Sequence, residues 1–259
     1  MTFKCRHCSE NLNDHILDLG HQPPSNNYLT KEQLEFPELL YPLKVFICSN
    51  CGLVQLPEFL KPQELFNKNY PYFSSTSSSW CLHAKNFVEK AIKKLSLNQN
   101  SNVIEIASND GYLLQYVNQE NIPCIGIEPT QATALASKKK GIKTIEEFFN
   151  SNLASQLEKA DLLIANNVVA HVPNINDFMN GISIVLKSNG LASIEFPHLL
   201  NIVKFNQFDT IYHEHYSYLS LTSLKKIALQ ANLDIIEVEE ISTHGGSLRV
   251  WLSHKNKCQ

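Results

Sequence analysis

The stretch IYHEHYSY, at 211–218, sets Tyr212, His213, Glu214, His215 and Tyr216 side by side. An imidazole with a pKa near neutrality suits removal of a proton from a carbon beside a carbonyl. A tyrosine, a second histidine or a protonated acid can then supply hydrogen bonds to the oxyanion that results. As a metal site the segment is weak: an extended strand would put His213 and His215 on one face, but no third ligand follows nearby. A polar loop that happens to be rich in histidine is the plain alternative, and His213 is assigned no role.

Four cysteines carry a second chemistry. Cys5-Arg6-His7-Cys8 and Cys48-Ser49-Asn50-Cys51 are two CxxC pairs well separated in the chain. Thiolates two residues apart in a tight turn can face one ion, and two such turns complete a tetrahedral S4 shell with bonds of about 2.3 Å. Gly52, after the second pair, tolerates the positive φ of a knuckle turn. With all four positions filled by protein, a Zn2+ held there is structural. His7 reads as a bystander in the turn, and Cys81, Cys124 and Cys258 as inert thiols.

A third constellation lies in VIEIASNDGYLL, at 103–114: an apolar strand, a turn of small residues and a helix that opens near Gly111. In a doubly wound sheet, the crevice beyond the carboxyl end of the first strand binds a nucleotide. Glu105, Ala107, Ser108, Asn109 and Asp110 are therefore expected to face a cofactor. The next strand, IPCIGIE, ends in Glu128, where a carboxylate can accept hydrogen bonds from both hydroxyls of a ribose. There is no GxGxxG and no Walker lysine, which disfavours NAD and ATP. S-adenosylmethionine fits better, having no phosphate to cradle and a sulfonium cation that prefers acidic or aromatic surroundings. A further strand, ADLLIANN, ends in Asn166 and Asn167, with His171 one helical turn later at the same edge.

These groups need a scaffold. The 259 residues suit one α/β domain plus a small appendage, and 43% hydrophobic with 18% charged residues are globular values. A net charge of -3 and a pI near 6.4 give no electrostatic reason to expect nucleic acid or an anionic membrane as partner. No apolar leader opens MTFKCRHC and no run suffices to span a bilayer, so a cytoplasmic protein is expected. The cysteine-rich front has only short apolar runs such as YPLKVFIC and needs the metal as a staple, which sets a zinc-binding unit at 1–68. A Tyr/Ser-rich connector, NYPYFSSTSSSW, opens the second unit, 69–259, and a helix follows with Phe87, Ala91, Ile92 and Leu95 on one face. Apolar runs then alternate with amphipathic ones, EEFFNSNLASQLE among the latter, and LDIIEVEE and GSLRVWLS close without a helix between them. That order predicts a methyltransferase-type Rossmann sheet, mostly parallel and doubly wound, with an antiparallel last strand.

Taken in order, CxxC…CxxCG, YxYxSS, EIxSNDGxLL, GIEP, ANNVxAHV, EFPxL, YHEHYSY and HGGSLR resemble the zinc-containing sugar C-methyltransferases of deoxysugar biosynthesis, over nearly the whole chain. The resemblance implies S-adenosylmethionine and structural Zn2+ as cofactors, and C3 of a nucleotide-linked 4-keto-6-deoxysugar as acceptor. It adds Pro129 to the cofactor residues and makes His215 the general base, with Glu214 and Tyr212 as its orienters or oxyanion partners. Tyr72, Asn167 and His171 fall on the substrate side, with Tyr70 a further candidate in the connector. Two departures from the resemblance are expected: the family's third, C-terminal domain is read as absent from this chain, and Ala107 stands where the family has a glycine. An O- or N-methyltransferase acting on a small metabolite and a cofactor-binding paralogue without turnover are the competing expectations. His244-Gly245-Gly246 reads as a tight turn or a close approach to a ligand, and LGHQPPSNNYL as a polar loop near the nucleotide. The sequence carries no signature of an oligomeric state.

Overall fold

The computed structural model describes residues 3–67 and 70–255, apart from the side chain of His244, so Cys258 and the expected boundary at 68/69 lie outside the described residues. The front of the chain holds two-residue strands β1 (Phe3–Lys4) and β2 (Asn11–Leu12), then β3 (His15–Gln22), β4 (Tyr41–Ile47), β5 (Val54–Gln55) and a single turn of helix, α1 (Pro62–Leu65). Helix α2 (Ser78–Leu95) follows the connector, and its buried side chains include Trp80, Ala84, Phe87, Val88 and Ala91. Ser77 caps it by accepting from the backbone N–H of Trp80.

The larger sheet starts with β6 (Val103–Ile106), in which every residue is buried, as a strand covered on both faces requires. It continues through α3 (Leu114–Gln119), β7 (Cys124–Ile127), α4 (Gln131–Lys139), β8 (Lys143–Ile145), α5 (Ser151–Ala154), β9 (Ala160–Asn166), α6 (Ile175–Val185) and β10 (Leu186–Pro197). After α7 (Leu199–Lys204) come β11 (Ser217–Tyr218), α8 (Leu221–Gln230), β12 (Leu233–Ile241) and β13 (Ser247–His254). The seven strands run in the order β12-β13-β10-β9-β6-β7-β8. Strand β13 is antiparallel to both its neighbours and the rest of the ladder is parallel. This is the expected Rossmann-type sheet. The second sheet, β11-β5-β4-β3, takes its first strand from the far end of the chain, so residues 217–218 pair with the cysteine-rich front. Among the described residues no helix is long and apolar enough to cross a membrane.

One expected helix is far shorter than its pattern. EEFFNSNLASQLE forms only α5, because the Asn150 side chain accepts from the Leu153 N–H and starts the helix there. Phe149 meanwhile turns its ring edge onto Phe178, with centroids 5.6 Å apart. At the other edge, Gly245 and Gly246 both have positive φ, 74° and 105°, and a β-carbon on Gly246 would lie 2.2 Å from the Asn201 amide. The turn is tight, as expected, and Gly245 lines the central cavity.

Within the sheet, Glu195 of β10 lies opposite Arg249 of β13 in register. Glu195 is fully buried, and the Arg249 Nη2 donates to its Oε2 at 2.6 Å while the His83 Nε2 lies 3.0 Å from its Oε1. Burial alone would raise the Glu195 pKa, but the bonds from His83 and the charge of Arg249 bring it below the ordinary carboxylate range. Arg249 also sits over the Phe87 ring, 4.3 Å from its centroid. Removing one partner strands the other charge in the sheet. Arg249→Met is therefore expected to cost about 3–5 kcal/mol and to lower the melting temperature by on the order of 10 °C. Adding Glu195→Gln to that variant should recover more than half the loss, as read by thermal unfolding.

Candidate functional site

Above the carboxyl edge of β6, β7, β9 and β10 lies a cavity of about 1080 Å³. Its floor is set by backbone that bends through the left-handed region at Ala107 (φ 55°), Asn109 (φ 48°) and Asn167 (φ 51°). Glycine would occupy the first of these without strain, which gives a physical reason for the glycine expected at Ala107. Asn109 does two things there. Its side chain donates to the Tyr72 carbonyl at 3.1 Å and accepts from the Ser74 N–H at 2.9 Å, pinning the connector over the turn. Its own N–H donates to Glu128 Oε2 at 2.9 Å.

Glu128, Pro129 and Ala107, all expected at the cofactor, line the cavity. Glu128 is buried, and its Oε1 accepts from both the N–H and the hydroxyl of Thr130. Because a carboxylate oxygen can take two donors, Oε2 keeps one acceptor position. Burial raises its pKa, and the hydrogen bonds oppose that rise. Asn166 and Asn167 line the cavity from the end of β9, and Asn166 Oδ1 and Asn167 Nδ2 are buried without a partner. An unmatched buried acceptor and donor facing a cavity are what a polar ligand would satisfy.

Three expected cofactor residues do not line the cavity. Ser108 turns toward β7, where a β-carbon on Gly126 would meet its Oγ at 2.3 Å. Asp110 instead bonds the Ser75 hydroxyl and takes an ion pair from Lys140 at 3.2 Å. Glu105 is enclosed in β6 with Oε2 unpartnered, and burial, followed by the charges of Glu128 and Asp110, pushes its pKa well above the carboxylate range.

Over the cavity hangs the 212–215 segment, a turn of the loop that follows β10, in which the His215 N–H donates to the Tyr212 carbonyl at 3.0 Å. The two imidazoles therefore diverge. His213 donates from Nε2 to the Pro42 carbonyl at 3.2 Å, away from the cavity. His215 faces in, with Nδ1 donating to the Thr210 carbonyl at 2.9 Å. A carbonyl can only accept, so the proton of a neutral His215 is fixed on Nδ1, and Nε2 accepts from the Tyr212 hydroxyl at 3.0 Å. His171 repeats the device, its Nδ1 donating to the Glu214 carbonyl at 3.0 Å and its ring 4.7 Å from that of His215. Burial pushes the pKa of His171 down to about 4, and burial together with the His171 charge pushes that of His215 well below 6.5.

Glu214 accepts from Ser25 Oγ at 2.9 Å, Asn26 Nδ2 at 2.8 Å and Tyr70 Oη at 3.4 Å. Ser25 and Asn26 also line the cavity, as do Tyr70 and Tyr72. The sequence marked the first two only as part of a polar Pro/Ser/Asn loop. Nothing local says that the loop folds back onto the histidine turn.

At the front, the Sγ atoms of Cys5, Cys8, Cys48 and Cys51 lie within 4.8 Å of one another, with Cys5–Cys51 at 3.5 Å and Cys8–Cys48 at 3.4 Å. A tetrahedral S4 shell with bonds of about 2.3 Å has edges near 3.8 Å, so the four sulfurs suit one zinc ion. Gln55 Nε2 donates to Cys5 Sγ at 3.1 Å, the outer-shell bond a thiolate ligand favours. Ser9 (φ 62°) and Gly52 (φ 77°) close the two turns in the left-handed region. Among the described residues this is the one group of three or more His, Cys, Asp or Glu side chains close enough to hold an ion. His7 belongs to another contact, described below. Cys81 donates to the Ser75 carbonyl, and burial raises the Cys124 pKa to about 11, keeping it a thiol.

Comparison with known proteins decides the family. Residues 80–238 match the family model described as "Methyltransferase domain", and residues 5–66 the one described as "Putative zinc binding domain". The chain belongs to this methyltransferase family. S-adenosylmethionine is the cofactor that goes with it, and the four cysteines are the metal site of the front domain. The chain is 31% identical over 252 residues to the C-methyltransferase NovU of Streptomyces niveus. That alignment covers 96% of this chain and 60% of NovU, so the chain spans about 60% of that relative's length. Among solved structures, the magnesium protoporphyrin IX methyltransferase of Synechocystis PCC 6803 with bound SAH superposes with a TM-score of 0.55 at 13% identity, covering 67% of this chain and 83% of that one. A S-adenosylmethionine-dependent methyltransferase from Clostridium acetobutylicum gives 0.52 at 9% identity, over 66% and 90%. Identities this low speak for the fold.

The state of Glu105 is testable. Its raised folded-state pKa means that the native state keeps a proton which the unfolded chain has lost above about pH 4.5. The native state therefore loses stability as pH rises toward the folded pKa, by about 1.4 kcal/mol per pH unit. Glu105→Gln carries no such dependence. Its stability relative to wild type is expected to improve as pH rises above about 4.5, until the folded-state pKa is reached, in denaturant titrations.

Proposed function

We propose that the protein transfers a methyl group from S-adenosylmethionine to carbon, at C3 of a nucleotide-linked 4-keto-6-deoxysugar, by way of an enolate raised by His215. The observation that carries this reading is the Tyr212–His215 pair, in which Nε2 accepts from a phenol hydroxyl on the wall of the cavity that Glu128 also lines. Such an anchored, neutral imidazole is suited to removing a proton from carbon, which an O- or N-methyltransferase would not need. The printed activity of the NovU relative, C-methyl transfer, supports the same choice.

The chain's own groups divide as follows. Bound S-adenosylmethionine supplies an electrophilic methyl group. Glu128 would hold its ribose, and the unpartnered Asn166 Oδ1 would accept from its ammonium. His215 is the base and Tyr212 its relay: the phenol oxygen accepts the C3 proton as its own hydroxyl proton passes to His215 Nε2, leaving an imidazolium anchored on the Thr210 carbonyl. The electron pair from the C–H bond moves onto the C4 oxygen, and Asn167 Nδ2, a buried donor without a partner, is the group to meet that oxyanion. His171, its Nδ1 already committed, offers Nε2 as acceptor to a sugar hydroxyl. Glu214 holds Tyr70 and the Ser25–Asn26 loop over the acceptor, which places the reacting carbon and keeps water out.

The test is incubation with a thymidine-diphosphate 4-keto-6-deoxysugar in deuterated water, with S-adenosylhomocysteine to read exchange at C3 and, in parallel, with S-adenosylmethionine to read methyl transfer. Wild type is expected to exchange the C3 hydrogen. His215→Ala should lose both exchange and methylation by about 10²–10⁴-fold while binding S-adenosylhomocysteine normally. A variant that exchanges at the wild-type rate overturns the base assignment, and a wild-type protein that binds cofactor without exchange or transfer identifies a paralogue without turnover. The acid limb of kcat follows from the lowered His215 pKa: imidazole stays neutral as pH falls through 6.5. Activity should be flat from pH 8 to below pH 6.5 and decline only in more acidic buffer.

A further inference from the structure

The two residues between the first pair of zinc ligands reach into the wall of the cavity. The Arg6 N–H donates to Gln55 Oε1 at 2.9 Å, and its guanidinium forks to two backbone carbonyls, Nη1 to Pro173 at 2.8 Å and Nη2 to Leu56 at 2.5 Å. It also lies over the ring of Tyr216, 5.3 Å from the centroid. His7 and Asn176 exchange a reciprocal pair: Asn176 Nδ2 donates to the His7 carbonyl and His7 Nδ1 to Asn176 Oδ1, both at 2.8 Å. Pro173 lines the cavity two residues beyond His171, and Asn176 stands in the first turn of α6. Leu56 in turn donates its N–H to the Tyr216 carbonyl at 3.0 Å, next to His215. A guanidinium satisfies two carbonyls on different segments only if its own backbone is held still, because its donors form a rigid fork.

What holds that backbone is the metal site. Strands β1 and β2, on either side of the turn, are two residues each and give it little order of their own. Gln55 touches both Arg6 and the Cys5 thiolate, so one side chain reads the ligand and the fork together.

We propose that Arg6 and His7 are positioning residues through which zinc, without taking part in chemistry, fixes the 171–176 wall of the methyltransferase cavity. Metal loading then sets the order of the segment that carries His171, and loss of the ion loosens the acceptor side before the sheet itself is affected.

Amide hydrogen exchange on the full chain, followed by mass spectrometry with and without a zinc chelator, tests this. In wild type, chelation should speed exchange at 168–176 by about tenfold. The Arg6→Ala/Asn176→Ala double variant, with one zinc per chain by metal analysis, should show that faster exchange already. Chelation should add nothing at 168–176 in it, yet still unprotect 3–12 and 41–55. Arg6→Lys, which keeps the charge and loses the fork, should fall between. Should the double variant fail to fold, Asn176→Ala and Arg6→Lys allow the same comparison one contact at a time. A wild-type 168–176 segment that stays protected after chelation overturns the proposal, as does a variant whose segment responds to chelation as wild type does.

Discussion

A carboxylate taken out of water has to be surrounded by donors, and at Glu214 those donors come from stretches far apart in the chain. Ser25 and Asn26 arrive from the loop between β3 and β4, and Tyr70 from the connector ahead of α2. The same residue's carbonyl takes the Nδ1 proton of His171. Four segments are thus gathered at one point above the sheet, and the roof of the cavity exists because that buried charge has to be matched. Withdrawing one segment leaves the carboxylate short of a partner, a cost of about 1–3 kcal/mol that holds the rest in place.

The sheet beneath is stiffened by a second buried charge. Glu195 is met by Arg249 across the β10–β13 register and by His83 from α2, and His83 stacks on Trp80 at 4.8 Å. Trp80 lines the cavity and stacks in turn near Tyr112. The EFPxL and HGGSLR stretches therefore owe their acidic and basic residues to architecture, one layer away from the reacting groups. The Cys5–Cys8 turn, flanked by strands of only two residues each, obtains from four thiolates and one ion the order that a hydrophobic core gives the sheet.

Several features of the site were readable in advance, and the failures have identifiable causes. Glu128, Asn109 and the β9 asparagines reach the cavity because the carboxyl edge of a parallel sheet is fixed by topology. Glu105, Ser108 and Asp110 belong to the same run of sequence yet do not line it, because alternation along β6 and the tight turn after it send their side chains elsewhere. On an extended strand His213 and His215 would share a face, but in this loop the His215 N–H closes back on Tyr212, which separates the two histidines. EEFFNSNLASQLE has helical spacing, yet the Asn150 cap and the packing of Phe149 leave it only four helical residues.

The sequence alone determined the metal ligands, the order of strands and helices and the edge of the sheet at which the cavity lies. Each of these follows from spacing within a few residues: two thiolates in one turn, a run of apolar side chains, a small-residue bend after a strand. Tertiary structure alone decided which nitrogen of His171 and His215 carries the proton, which acids face the cavity and that Ser25, Asn26 and Arg6 belong to its walls. Those properties arise from burial and from partners distant in the chain, and no local pattern encodes the carbonyl that a folded imidazole will meet.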